Sequence, residues 1–183
     1  MKIIEVRRHS KAEKWEDLTP EGRAIAEETA ERLEKFYHFV ISSPKKRAQE
    51  TLIAMGFEKF DIDESFGTLP GDELAYYEQR IQKIIRERDL TLLGAYFSLP
   101  ETRTILMNHG WKFIEGLRKI VTSLPKMGKA LIISHGGSIE PAILTVLGGE
   151  SLDGIGGELG YCEGARFVFD EENTLKTVEV LRL

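Results

Sequence analysis

Three nitrogen-rich side chains, Arg7, Arg8 and His9, follow directly on the apolar run Ile3-Ile4-Glu5-Val6. Setting such groups at the edge of a core costs free energy unless something anionic meets them. The pattern returns in KALIISHGG, where an apolar run ends in His135, Gly136 and Gly137, and a third short run ends in ISSP with Arg47 close behind. Two guanidinium groups, two imidazoles and helix N-terminal amides suit a phosphoryl group: the arginine fork matches its oxygens, and a helix N-terminus favours an anion. Neutral imidazole is a competent nucleophile toward phosphorus. Neighbouring guanidinium groups disfavour imidazolium and stabilise charge on the transferring oxygens without a metal.

For those residues to meet, the elements that carry them must share an edge. KIIEV reads as a first strand. LTPEGRAIAEETAERLEKF reads as a helix, with Thr19 as N-cap, Pro20 at its first position, and Ile25, Thr29, Leu33 and Phe36 as one buried stripe. Phe39-Val40-Ile41 is a second strand. A helix behind Pro44 turns Ala48, Leu52 and Met55 inward and stops at Gly56. A short third strand falls within Lys59 to Ile62, and residues 72 to about 123 read as mostly helical, broken near Leu99-Pro100. KALIIS is the next strand, with PAILTVLGG the helix behind it. GARFVFD and TLKTVEVLRL flank the turn-prone Glu171-Glu172-Asn173 as an antiparallel hairpin.

This alternation predicts an α/β three-layer sandwich: a mostly parallel, mixed central sheet, helices on both faces and a C-terminal antiparallel hairpin. The expected organisation is one domain over 1–183, with a helical insertion at about 72–123. In such sheets ligands sit beyond the carboxyl ends of the strands, which places Arg8, His9, Arg47, His135 and Gly136 at one pocket. Arg47 reaches it because helical side chains lean toward the helix N-terminus. Strand alternation sends Arg7 to the opposite face from Arg8, as a partner for an acidic side chain.

The bulk numbers set limits on function. With 25 Lys and Arg against 30 Asp and Glu, the chain carries a net charge of −5, which argues against a nucleic-acid footprint. Cys162 stands alone, so no internal disulfide forms and a reducing cytoplasm is the expected compartment. No segment has signal-peptide or membrane-span character. There is no H-E-x-x-H and no cysteine pair, so neither a metal nor another cofactor is expected. GIGGELG lacks the strand and spacing of a dinucleotide fingerprint and reads as a flexible loop. HGGS has no G-x-S-x-G elbow to accompany it.

VRRHSKA, LTPEG, ISSPKKRAQETL and LIISHGG, in this order, resemble the histidine phosphatase (phosphoglycerate mutase-like) superfamily across most of the chain. RHSKA with Trp15, followed by LTPEGRAIAEETAERL, is most similar to the small branch that includes protein-phosphohistidine phosphatases. The resemblance implies that His9 becomes phosphorylated, that Arg8 and Arg47 bind phosphate with His135 completing the clamp, and that Ser42 lies near the pocket. Ser10 stands where glycine usually follows the nucleophilic histidine, Ala12 where many members have threonine, and Arg7 where an apolar residue is more common.

The proton donor is expected in FDIDESFGTLPGDEL. Relative to Gly67, Asp63 sits where the mutase pattern places it, with Glu64 adjacent and Glu73 further along. The expected function is a metal-independent phosphohydrolase that passes through phosphohistidine on a phosphomonoester or phosphoramidate. Its substrate would be a phosphorylated small molecule or a phosphoprotein. The alternatives are mutase-type phosphoryl transfer and a non-catalytic phosphate-binding or phosphoprotein-binding module. Simpler roles fit several other residues. Lys45 and Lys46 read as solvated, His38 as structural or exposed, and His109 as a packed helix residue. Of Tyr76, Tyr77, Tyr96, Phe97, Trp111 and Phe113, most read as core, with some available to form a lid.

Overall fold

The computed structural model describes every residue except Trp15, Glu16 and Pro70, so the expectation attached to Trp15 lies outside the described residues. Six strands, β1 (Lys2–Arg8), β2 (Phe39–Ser42), β3 (Asp61–Ile62), β4 (Lys129–Ser134), β5 (Gly164–Phe169) and β6 (Leu175–Leu181), form one sheet in the order β3-β2-β4-β1-β5-β6. β1, β2, β3 and β4 run parallel, whereas β5 pairs antiparallel with both β1 and β6. The mixed sheet and terminal hairpin match the sequence expectation.

The central strands are buried on both faces, and β4 shows how period-2 alternation divides the core. Ala130 and Ile132 pack toward the apolar side chains of α6 (Pro100–Ser123) and α7 (Ile139–Leu147). Leu131 and Ile133 face the other way, toward Ala26 of α1 (Pro20–Ala30) and Ala48 and Leu52 of α2 (Lys46–Ala54). Between β3 and α6 lie three shorter helices, α3 (Gly71–Ala75), α4 (Glu78–Arg88) and α5 (Leu92–Ser98). Ile81, Ala95 and Leu99 form a small apolar cluster of their own there. The expected break falls at Leu99, with Pro100 opening α6.

Thr19 caps α1 by accepting from the Gly22 N–H at 2.9 Å, and Pro20 holds the first helical position. This helix ends sooner than its sequence suggests. It stops at Ala30, and Phe36, expected on the buried stripe, is 65% exposed against His38. Once the chain leaves helical geometry, the 3.6-residue period no longer assigns a face. Gly22 is required by a close approach, since a Cβ there would lie 1.9 Å from the Lys11 carbonyl oxygen. The aromatic segment also divides differently from expectation. Phe97 and Phe113 are core, but Tyr76 is exposed and Trp111 is 50% exposed on the outer side of α6.

Candidate active site

Parallel order β2-β4-β1 brings three strand C-termini together. Ser134 of β4 aligns with Arg8 of β1, and Ile133 aligns with both Arg7 of β1 and Ser42 of β2. The residues just past these ends, His9, Ser43 and His135, therefore begin at the same edge. Arg47, in the first turn of α2, leans back over them.

The guanidinium of Arg47 bridges the two histidines. Its Nε donates to His9 Nε2 at 2.9 Å and its Nη2 lies 3.1 Å from His135 Nδ1. Those contacts fix both tautomers, because guanidinium nitrogens only donate and backbone carbonyls only accept. His9 Nδ1 lies 2.7 Å from the Ser10 carbonyl and carries the ring proton, leaving Nε2 with its lone pair toward Arg47. His135 accepts at Nδ1, so its Nε2–H donates to Ser43 Oγ at 2.6 Å. The ring centroids lie 5.2 Å apart.

Both rings are held neutral. Burial, with smaller contributions from Arg47 and Arg8 set against the Ser10 hydrogen bond, lowers the His9 pKa from 6.5 to about 4. Burial, then His9, Arg47, Lys45 and Arg8, lowers that of His135 to about 2. Desolvation penalises the charged ring, and nearby cations add to the penalty. Neutral imidazole with an outward lone pair is the reactive form for attack on phosphorus.

Arg8 reaches the same pocket along a different support. Its Nη1 donates to the Leu159 carbonyl, its guanidinium carbon sits 4.8 Å from the Tyr161 ring centroid, and its buried Nε has no hydrogen-bond partner among the described residues. A buried donor left in that state is costly and suits an arriving oxyanion. Gly136 lets the arginine lie flat, since a Cβ there would meet Arg8 Nε at 3.0 Å. Arg7 instead turns to the other face, where its Nε donates to Glu5 at 2.6 Å and its Nη1 to the Cys162 carbonyl at 2.9 Å. The alternation argument therefore describes both arginines.

Ser10 ties the loop after His9 to its surroundings. Its hydroxyl donates to the Gly22 carbonyl at 2.6 Å and its N–H to Thr51 Oγ1 at 2.9 Å, linking β1 to α1 and α2. A glycine would make only the second of these bonds. Ser42, the position suggested by motif, turns its hydroxyl to the Ser43 carbonyl at 2.7 Å, whereas Ser43 supports His135. Sequence reasoning missed Ser43, Tyr161 and Leu159. Strand alternation from Ile41 would have flagged Ser43, but nothing local marks the other two. The glycine-rich stretch read as a flexible loop instead carries Leu159 and Tyr161 against Arg8, and the Cys162 N–H bonds the Arg8 carbonyl at 3.1 Å.

The pocket opens into a cavity of about 810 Å³. Arg8, His9, Arg47, His135 and Gly136 form its base, and Leu69, Leu74, Ile81, Gln82, Leu92 and Tyr96 form part of its wall. Lys45 and Lys46 lie on its rim, where Lys46 also pairs with Asp17 at 2.6 Å. Asp63 follows β3, with its N–H on the Ser42 carbonyl at 3.0 Å and its carboxylate accepting from the Ser65 N–H at 2.8 Å. Glu64 and Glu73 are exposed, and neither they nor Asp63 line the cavity. Glu78 is the carboxylate that does so among the described residues. His109 Nε2 lies 3.0 Å from Ser138 Oγ, which in turn donates to the Gly67 carbonyl, so this histidine packs behind the site. Among the described residues, no helix is long and apolar enough to cross a membrane.

Comparison with curated protein sequences gives no match. Solved structures share the fold at low identity. An Entamoeba histolytica phosphoserine phosphatase mutant in complex with phosphoserine is 19% identical, with a TM-score of 0.66, over 97% of this chain and 96% of that one. The Entamoeba histolytica phosphoserine phosphatase in complex with 3-phosphoglyceric acid is 17% identical, with a TM-score of 0.67, over 100% and 98%. A mycobacterial glucosyl-3-phosphoglycerate phosphatase in complex with VO3 is 17% identical, with a TM-score of 0.70, over 98% of each chain. The profile of the histidine phosphatase superfamily (branch 1) matches residues 7–179, which is nearly the whole chain and every strand end described above. The chain belongs to the histidine phosphatase superfamily, branch 1, as a phosphatase of the hydrolase class.

Proposed function

We propose that the protein hydrolyses phosphomonoesters or phosphoramidates without a metal, through a phosphohistidine formed on His9 Nε2. The observation that carries this reading is the Arg47 bridge, which aims the His9 lone pair at the point where two guanidinium groups and His135 converge. An arriving phosphoryl group exchanges the Arg47–His9 hydrogen bond for contacts from Arg47 to its oxygens, which frees the lone pair to attack. Arg8, Arg47 and the amides near Gly136 then hold the charge that develops on the transferring oxygens. In the second step, water cleaves the N–P bond and regenerates neutral His9.

An alcohol leaving group needs a proton, and a positioned acid contributes typically about 10²–10⁴ in rate. Asp63, with Glu64 beside it, follows β3 outside the cavity lining, and Glu78 belongs to the cavity wall. Changing each to its amide assigns the role. The donor's variant loses activity on alkyl phosphates far more than on p-nitrophenyl phosphate, whose leaving group departs unaided.

The substrate would be a phosphorylated small molecule or the phosphorylated side chain of a protein, with residues 72–123 acting as an insertion that shapes the recess. The solved relatives bound to phosphoserine and to 3-phosphoglyceric acid support the small-molecule class. The deciding experiment is hydrolysis of p-nitrophenyl phosphate in EDTA by the parent protein and by His9→Ala. Turnover is expected in the first and background in the second. Full activity in His9→Ala, or a strict need for added metal, would end this reading.

A further inference from the structure

Glu140 is 0% exposed in the first turn of α7, directly behind the phosphate pocket. Burying a carboxylate costs several kcal/mol unless its oxygens are satisfied. Here both are, and by two different segments. Oε2 accepts from the Gly137 N–H at 2.7 Å and Oε1 from the Leu159 N–H at 3.0 Å. Gly137 follows His135 and Gly136 and makes the left-handed turn, at φ 85°, that starts α7. Leu159 belongs to the glycine-rich stretch, and its carbonyl accepts from Arg8 Nη1. One carboxylate thus fastens the loop that lies against Arg8 to the loop that hydrogen-bonds it. A recess of about 170 Å³ bounded by Arg8, Gly136, Gly137, Glu140 and Glu158 adjoins them.

We infer that Glu140 is a positioning residue: through the Gly137 and Leu159 amides it fixes the pose in which Arg8 meets the substrate's phosphoryl oxygens. This inference rests on the phosphatase reading given above. Burial pushes the Glu140 carboxyl up, while the backbone amides and the charge of Arg8 pull it back. A carboxylate that merely favoured the helix N-terminus would need only amides of its own first turn. The bond to Leu159, 19 residues away, has no part in that role.

The test is a double-mutant cycle read with orthovanadate inhibition and with the KM for p-nitrophenyl phosphate. Glu140→Gln keeps the side chain's shape but turns an NH₂ toward one of the two amides. It is expected to weaken orthovanadate binding by about tenfold and to raise KM in step. In an Arg8→Ala background the same change should cost less than about twofold, because its effect passes through an arginine already removed. Equal losses in both backgrounds, or near-parental orthovanadate affinity in Glu140→Gln alone, would overturn the inference while leaving the phosphatase reading intact. Should Glu140→Gln not fold, Glu140→Asp goes through the same cycle under the same criteria, since it keeps the charge but is too short to span both amides. A parent protein blind to orthovanadate and inert toward p-nitrophenyl phosphate would overturn the phosphatase reading, and this inference with it.

Discussion

The base of the cavity and its wall are built in different ways. At the base, each functional side chain leaves the end of a central strand or the turn behind it and is held by at least one further contact. Arg47 spans two histidines, Ser43 supports His135, and the Leu159 carbonyl and Tyr161 hold Arg8. The wall comes largely from α3, α4 and α5. α3 and α4 expose most of their residues and Ile81, Ala95 and Leu99 form a cluster of their own, while Leu93 and Phe97 anchor α5 in the main core. Preorganised dipoles stabilise a transition state only if they do not have to reorganise, and the contacts at the base hold each side chain in its pose. Recognising the rest of a substrate makes no such demand, and connecting segments of this kind vary freely while the scaffold stays fixed. On the proposed reading, chemistry resides at the strand ends, and selectivity in α3, α4 and α5.

That division breaks if changes at the base alter substrate preference or changes in the wall abolish turnover. The largest expected effect is His9→Ala, which should reduce phosphate release to background while circular dichroism stays unchanged. Arg47→Ala follows, with kcat expected to fall about 10²–10³-fold, the usual cost of removing one preorganised donor. The fall should be similar for every phosphate ester tried, and a loss confined to one ester would move Arg47 from chemistry to recognition.

Next comes a pH effect specific to the base. The folded-state pKa of His9, about 4, lies below its ordinary 6.5. Between those values the unfolded chain binds the extra proton, so stability rises with pH there and falls as pH drops from 6.5 toward 4. His9 alone accounts for about 3 kcal/mol of that loss. Between pH 7 and pH 4.5 the urea midpoint of the parent should fall further than that of His9→Ala. A ring proton signal of His9 titrating near 6.5 would contradict the buried, neutral nucleophile. The smallest effect is expected in the wall. Leu92→Ala, at a largely exposed position on the cavity, should change the KM ratio between naphthyl and methyl phosphate by no more than about tenfold. Orthovanadate affinity should stay unaltered.

Much of this arrangement is legible in the sequence alone. Apolar runs ending in His9 and His135 gave the strands and their shared edge, and Thr19-Pro20 gave the start of α1. Alternation separated Arg7 from Arg8, and the HGG turn located the second histidine. These are local signals: period 2, period 3.6, caps and turns act over a few residues. The same locality explains the failures. The sequence pattern puts Phe36 on a buried face of a helix that has already ended, and it does not tell Phe113, which is core, from Trp111, which lies on the outward side of the same helix.

What the sequence determined by itself is the strands, the helices beside them outside residues 72–123, and the four residues that meet at the strand ends. Strand-end position follows from pattern, and the pocket follows from the parallel order that pattern implies. Only the tertiary structure decided how those residues are held: Ser43 rather than Ser42 beside His135, Leu159 and Tyr161 on Arg8, Glu140 beneath both loops, and Glu78 rather than Asp63 on the cavity wall. The Leu159 carbonyl meets an arginine 151 positions earlier in the chain, and a carbonyl is present in every residue. No side-chain type marks such a partner, so packing alone selects it.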